Sequence, residues 1–154
     1  MTLTTPQPMR LEHDELHTEL KAATTMAGPI GEAARAVAEV LHPHFVKEEA
    51  YALPPLGLLR DLAQHGAQPE MREALKMTDK LKADLPEMLR EHQVIVAALD
   101  RLAKTAKAEG QQRYVAFAEK LKLHAQTEEE VSYPAALLIG KYLHSKLDNE
   151  PRSL

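Results

Sequence analysis

The stretch His44–Pro54, HFVKEEAYALP, returns 80 residues later as His124–Pro134, HAQTEEEVSYP. Each copy opens on histidine, carries glutamate four residues on and a second glutamate beside it, and closes on proline. Four residues are about one α-helical turn, so His44 and Glu48 share one helix face, as do His124 and Glu128. The second glutamates, Glu49 and Glu129, turn about 100° away, which places them beside that face as outer contacts or in solvent. Proline then bends or ends the helix, because it lacks the N–H that the next turn needs.

The same face carries the apolar residues of each helix. Val37 and Leu41 lead into His44 and Glu48, while Tyr114, Phe117 and Leu121 lead into His124 and Glu128, with Val131 expected to continue that stripe. Two further helices follow from the same periodicity. One runs from about residue 8 through Met9, His13, Leu16, Leu20 and Ala23 to a break at Gly28-Pro29. The other runs from about Met71 through Leu81, Leu85, Met88, His92, Ile95, Leu99 and Leu102 to Gly110. Pro86 either kinks this helix or falls in the first turn of a new one. Leu56–Gln68 reads as a short helical turn and loop, and Pro134 bends the last helix before Leu137 and Leu138.

Each phrase is thus preceded, one helix earlier, by an EH pair: Glu12-His13 and Glu91-His92. The chain reads as two related helical hairpins forming an all-α, antiparallel, up-down-up-down four-helix bundle. His13 and His44 lie about 15 residues to either side of their turn, which puts them at one height in an antiparallel pair. His92 and His124 satisfy the same condition about a turn near residue 108. Six side chains therefore converge at one level: His13, His44, Glu48, His92, His124 and Glu128.

One histidine on an apolar stripe is ordinarily a satisfied core residue, and one Glu beside it a surface ion pair. Four histidines and two carboxylates at matched heights are different, because inward carboxylates with no inward Lys or Arg call for cations. Imidazole plus carboxylate without thiolate suits iron, manganese or zinc. Carboxylates shared between helices can bridge two ions. The ions can be divided by hairpin, His13 with His44 and His92 with His124, or with partners exchanged between hairpins.

Outer positions are expected from His17, one turn after His13, and from Glu12 and Glu91, which can orient neighbouring imidazoles. Tyr51 lies in register with Glu48 and can hydrogen-bond to a ligand or gate access, and Tyr133 is a weaker candidate for the same part. His42, His65 and His144 fall off the stripe, in a loop or far along the chain, and are not expected as ligands.

Composition agrees with this reading. The 154 residues suit one domain, expected over 1–154 with 1–8 and 148–154 flexible, and aromatics make up only 4%. A net charge of −4 gives no basic footprint for nucleic acid. No apolar run approaches a membrane span, and the absence of cysteine removes disulfides and thiolate sites. A cytoplasmic protein is expected, monomeric or homodimeric, with neither nucleic acid nor membrane as partner.

The two EH pairs and the two long phrases together resemble the hemerythrin-like family of HHE cation-binding domains, over nearly the whole chain. The resemblance implies a four-helix bundle holding two iron ions with an oxo or hydroxo bridge, and a small diatomic ligand or peroxide as partner. Two features depart from the oxygen-carrying hemerythrins: Val96 stands where they have the second histidine of a His-x-x-x-His pair, and Glu128 replaces an aspartate five residues after the last histidine. The resulting set looks more like di-iron proteins implicated in repairing iron centres under nitrosative stress, although their N-terminal cysteine has no counterpart here. Functions implied are binding or sensing of O2, NO or peroxide, or iron handling. Alternatives are a di-iron enzyme (peroxidase, oxidase, NO reductase or repair activity) and a zinc-bound or metal-free structural bundle.

Overall fold

The computed structural model describes residues 3–148. Helix α1 spans Gln7–Thr24 and α2 Pro29–Lys47, joined through Gly28, whose φ of 77° suits a residue without a Cβ. A short helix α3, Leu59–His65, precedes the 35-residue α4, Ala74–Ala108. After a turn at Gly110, α5 covers Gln112–Thr127 and α6 covers Tyr133–Leu147. Helix α1 packs on α2 and α5, α2 on α4, and α4 on α5, which closes a ring of four arms. No strand occurs among the described residues, and no helix there is long and apolar enough to cross a membrane.

The arms carrying the repeated phrases each contain a π-helical turn beginning at the phrase's first glutamate: Glu48–Ala52 after α2, and Glu128–Ser132 between α5 and α6. The Glu48 carbonyl accepts from Leu53 N–H at 2.9 Å, five residues on, and the Glu128 carbonyl accepts from Tyr133 N–H. Pro54 and Pro134 explain the location. Neither can donate to the carbonyl four residues back, and a widened turn relieves the ring's clash with it. The extra residue rotates everything downstream. Val131, expected on the apolar stripe, is 59% exposed, and Leu138 also faces out, while Ser132, Tyr133 and Ala136 are buried.

The long α4 runs unbroken through Pro86. Pro86 and Lys82 are both exposed, so the carbonyl that loses its helical partner there meets water. At 35 residues α4 is about 52 Å long and spans two separate apolar clusters. Ile95, Leu99 and Leu102 join one cluster with α1, α2 and α5, and Leu81 and Met88 join the other with Tyr51, Leu53, Tyr133 and α6. His92 lies between them. The six polar residues therefore form a layer sealed by hydrocarbon above and below.

Of the N-terminal lead, residues 3–6 lie against the bundle: Thr5 is buried and Leu3 packs on the second cluster. The flexibility expected of 1–2 and 149–154 falls outside the described residues.

Two predictions follow from packing at α6. A Cβ added at Gly140 would meet Thr78 Oγ1 at 2.6 Å and Thr78 Cβ at 2.7 Å. Gly140→Ala is expected to destabilise the fold by about 1–3 kcal/mol in denaturant titration, as overpacking does. Near the end of α6, His144 sits between Asp79 Oδ1 (2.9 Å) and Asp148 Oδ2 (2.6 Å), whose hydrogen bonds raise its pKa. A histidine raised in the folded state contributes stability below its unfolded pKa of about 6.5 and loses it as pH rises through the folded value. Thermal melts of wild type and His144→Gln should therefore differ most near pH 6 and converge in alkaline solution.

Candidate metal centre

The side chains of His13, His44, Glu48, His92, His124 and Glu128 are all buried and meet in the polar layer, with Glu48 0% and Glu128 2% exposed. Each imidazole faces outward through Nδ1 to a glutamate on another helix. His44 Nδ1 lies 2.8 Å from Glu91, His92 Nδ1 3.0 Å from Glu129, His124 Nδ1 2.5 Å from Glu12, and His13 Nδ1 3.8 Å from Glu49. Under the sequence repeat His13 maps to His92, His44 to His124, Glu49 to Glu129 and Glu12 to Glu91, so the four contacts form two symmetric pairs. Glu12 and Glu91 do orient imidazoles, but across the bundle, since their own neighbours His13 and His92 point to other partners. Glu49 and Glu129 complete the set.

At His44, His92 and His124 a carboxylate within hydrogen-bond distance accepts the N–H from Nδ1 and directs a lone pair inward from Nε2, whereas Glu49, 3.8 Å from His13 Nδ1, is too far for a hydrogen bond. The inward atoms then crowd together. His13 Nε2 and His124 Nε2 are 3.1 Å apart, and Glu128 Oε2 is 3.3 Å from His124 Nε2. On the other side Glu128 Oε1 is 3.3 Å from His92 Nε2, and Glu48 Oε1 is 3.2 Å from His44 Nε2. Two groups able to hold an ion result, His13–His124–Glu128 and His44–His92–Glu128. The histidines of these two groups are paired across hairpins, His13 with His124 and His44 with His92. Glu128 belongs to both groups, one oxygen toward each, as a bridging carboxylate requires.

The donor set fits a cation. Glu48 Oε1 and Glu128 Oε2 are buried with no hydrogen-bond partner. A buried carboxylate oxygen left unmatched costs free energy that a cation removes. Lys47 pairs with Glu91 at 2.6 Å and with neither of these carboxylates. Without a cation the histidines have to carry the charge. Burial lowers the pKa of His44, but hydrogen bonding and charge from Glu48 and Glu91 outweigh it and leave the value raised. For His92, burial and then the positive His44 push the other way, and its pKa is lowered.

Tyr133 reaches the centre and Tyr51 does not. The Tyr133 hydroxyl donates to Glu48 Oε2 at 3.1 Å and lies 3.2 Å from both His44 Nε2 and His92 Nε2. Burial, then the charge of Glu48, raises its pKa above the usual phenol range. Tyr51, expected beside Glu48, instead donates to Asp84 at 2.8 Å. The π turn that starts at Glu128 is the reason: its extra residue swings Tyr133, the fifth residue on, inward to Glu48, His44 and His92. The one sequence signal was Pro134, which forces the wide turn. His17 is exposed and makes no hydrogen bond or ion pair with the six, so it stands outside the cluster. His42 and His65 are exposed too, and His144 sits in its own aspartate clamp.

A cleft of about 510 Å³ reaches the His13 end, lined among others by Leu3, Arg10, His13, Asp14 and Glu49. Phe45 closes the neighbouring wall by stacking on His13, with ring centroids 4.3 Å apart and planes 9° from parallel.

Unmatched buried carboxylates imply opposite behaviour with and without metal. Glu128→Gln should leave the metal-free chain as stable as wild type or more stable. The same change should remove most of the stabilisation that iron(II) gives wild type, about 2.7 kcal/mol at a hundredfold excess over Kd. Anaerobic chemical denaturation with and without iron(II) measures both.

Residues 5–136 match the sequence profile of the hemerythrin HHE cation binding domain. No curated protein and no solved structure matches the chain. The profile covers both EH pairs and both long phrases, and its cation-binding character agrees with two buried His/Glu groups able to hold metal. The chain belongs to the hemerythrin HHE cation-binding family.

Proposed function

We propose that this bundle holds two iron ions, one at His13–His124–Glu128 and one at His44–His92–Glu128, with Glu48 as a further ligand on the second side. The observation that carries the reading is the convergence of four inward Nε2 atoms on two buried carboxylates, each of which keeps one oxygen without a hydrogen-bond partner. Imidazole nitrogens and carboxylate oxygens that converge at 3.1–3.3 Å in a layer closed with hydrocarbon are well placed to share a cation. Imidazole and carboxylate without sulfur favour iron or manganese over softer ions, with zinc as the competing occupant.

When bound, a pair of irons supplies one-electron chemistry and open coordination positions for O2, NO or peroxide. The chain's own residues do the rest. Glu12, Glu49, Glu91 and Glu129 hold the imidazole planes and strengthen the basicity of Nε2. Leu16, Phe45 and Ile95 on one side, and Leu53 and Met88 on the other, keep bulk water from the ligand atoms. The cleft beside His13 gives a small molecule a route to that end of the layer. The function supported best is binding or sensing of such a small ligand, in a soluble and cytoplasmic setting.

Iron(II) added without air should bind at about two ions per chain by elemental analysis, matching the two side-chain groups. Addition of O2, peroxide or NO should then change the visible spectrum stoichiometrically. Absence of a spectral change with all three would remove the ligand-binding reading. Sustained turnover with a reductant, abolished in Glu48→Ala, would mark an enzyme instead.

A further inference from the structure

The two halves of the polar layer are built from repeated sequence, yet they differ at one position. Five residues after Glu128 stands Tyr133, and five after Glu48 stands Leu53, which is 0% exposed. Only the His44–His92 half therefore has a phenol in it. Its hydroxyl has one proton to give, and Glu48 Oε2 takes it at 3.1 Å. His44 and His92 face Glu91 and Glu129 through Nδ1, and both Nε2 atoms lie 3.2 Å from the phenol oxygen. The single O–H can serve only one of these three neighbours.

The spacing has a different reading. Donors bound to one ion at about 2.1 Å stand about 3.0–3.4 Å from one another along the edges of a tetrahedron or octahedron. The hydroxyl is 3.2, 3.2 and 3.1 Å from His44 Nε2, His92 Nε2 and Glu48 Oε2. His44 Nε2 to Glu48 Oε1 is 3.2 Å. The phenol oxygen thus takes the place of a ligand corner. An oxygen filling the ion's own place would lie about 1 Å closer to each donor.

We propose that Tyr133 is a ligand of the ion at His44–His92, bound through its phenolate oxygen, so that the two ions of the centre are chemically inequivalent. On ligation the O–H bond breaks, the oxygen lone pair goes to the ion and one proton leaves to solvent, with no change in oxidation state. The ion's charge stabilises the phenolate against burial and Glu48. The His13–His124 half has Leu53 in place of a phenol and lies beside the cleft, so external ligands exchange there.

This inference rests on the two-iron reading, and the test separates them. Wild type, Tyr133→Phe and Tyr51→Phe are loaded with iron(II) without air and then oxidised by air, and iron per chain is measured on each. Oxidised wild type should show the broad visible charge-transfer band of a ferric phenolate, with enhanced tyrosine ring modes in resonance Raman. Tyr133→Phe should lose the band entirely while still binding iron, and Tyr51→Phe should keep it. Wild type grown on ring-deuterated tyrosine should shift those modes, which tests the ligand even if Tyr133→Phe does not fold. Two irons without phenolate modes, or a band that persists in Tyr133→Phe, would overturn this inference and leave the two-iron reading standing. No bound iron in wild type would overturn both.

Discussion

Four imidazole rings are held by carboxylates on neighbouring helices, and the rest of the centre depends on that crossed set. Glu91, Glu129, Glu12 and Glu49 take the outer nitrogens of His44, His92, His124 and His13. Each contact joins two different helices, so it fixes both a ring plane and a helix-to-helix height. The consequence is chemical as well as mechanical: the outer contacts turn every Nε2 inward. Four Nε2 atoms and two carboxylates then meet in a layer that hydrocarbon seals on both sides. The polar groups are not there to stabilise the apo bundle, since two buried carboxylate oxygens have no hydrogen-bond partner. Their cost is tolerated because the apolar clusters on either side, each with fully buried leucines, supply the folding free energy.

The two π turns connect this layer to the apolar cluster beyond it. Proline ten residues after each histidine makes an ordinary α turn unfavourable, and the widened turn begins at the glutamate itself. π turns recur at functional sites because one inserted residue re-aims every side chain that follows. Here the insertion carries Val131 out to solvent and swings Tyr133 inward. Repetition of the phrase gives the two halves the same backbone, and the difference between leucine and tyrosine at the fifth residue gives them different chemistry. A duplicated framework has in this way become an asymmetric pocket: one half is closed by an aromatic hydroxyl, and the other adjoins a cleft.

The amino-acid order by itself determined the helices, the two hairpins and the six inward polar residues. Those follow from local rules, because helical period decides which residues share a face, and equal distance from a turn decides height. It also determined the family, since the EH pairs and the long phrases lie within the matched residues 5–136. What tertiary structure decided was pairing. His13 meets His124 and His44 meets His92, each across two helices of different hairpins, which no distance along the chain specifies. Glu12 and Glu91 were legible as orienting groups, but the rings they orient lie on other helices, where sequence distance is silent. Tyr133 ranked below Tyr51 in the sequence for another reason. Its position depends on one extra residue in a turn, and a rule of 3.6 residues per turn extended through Glu128 puts the wrong side chain at the metal.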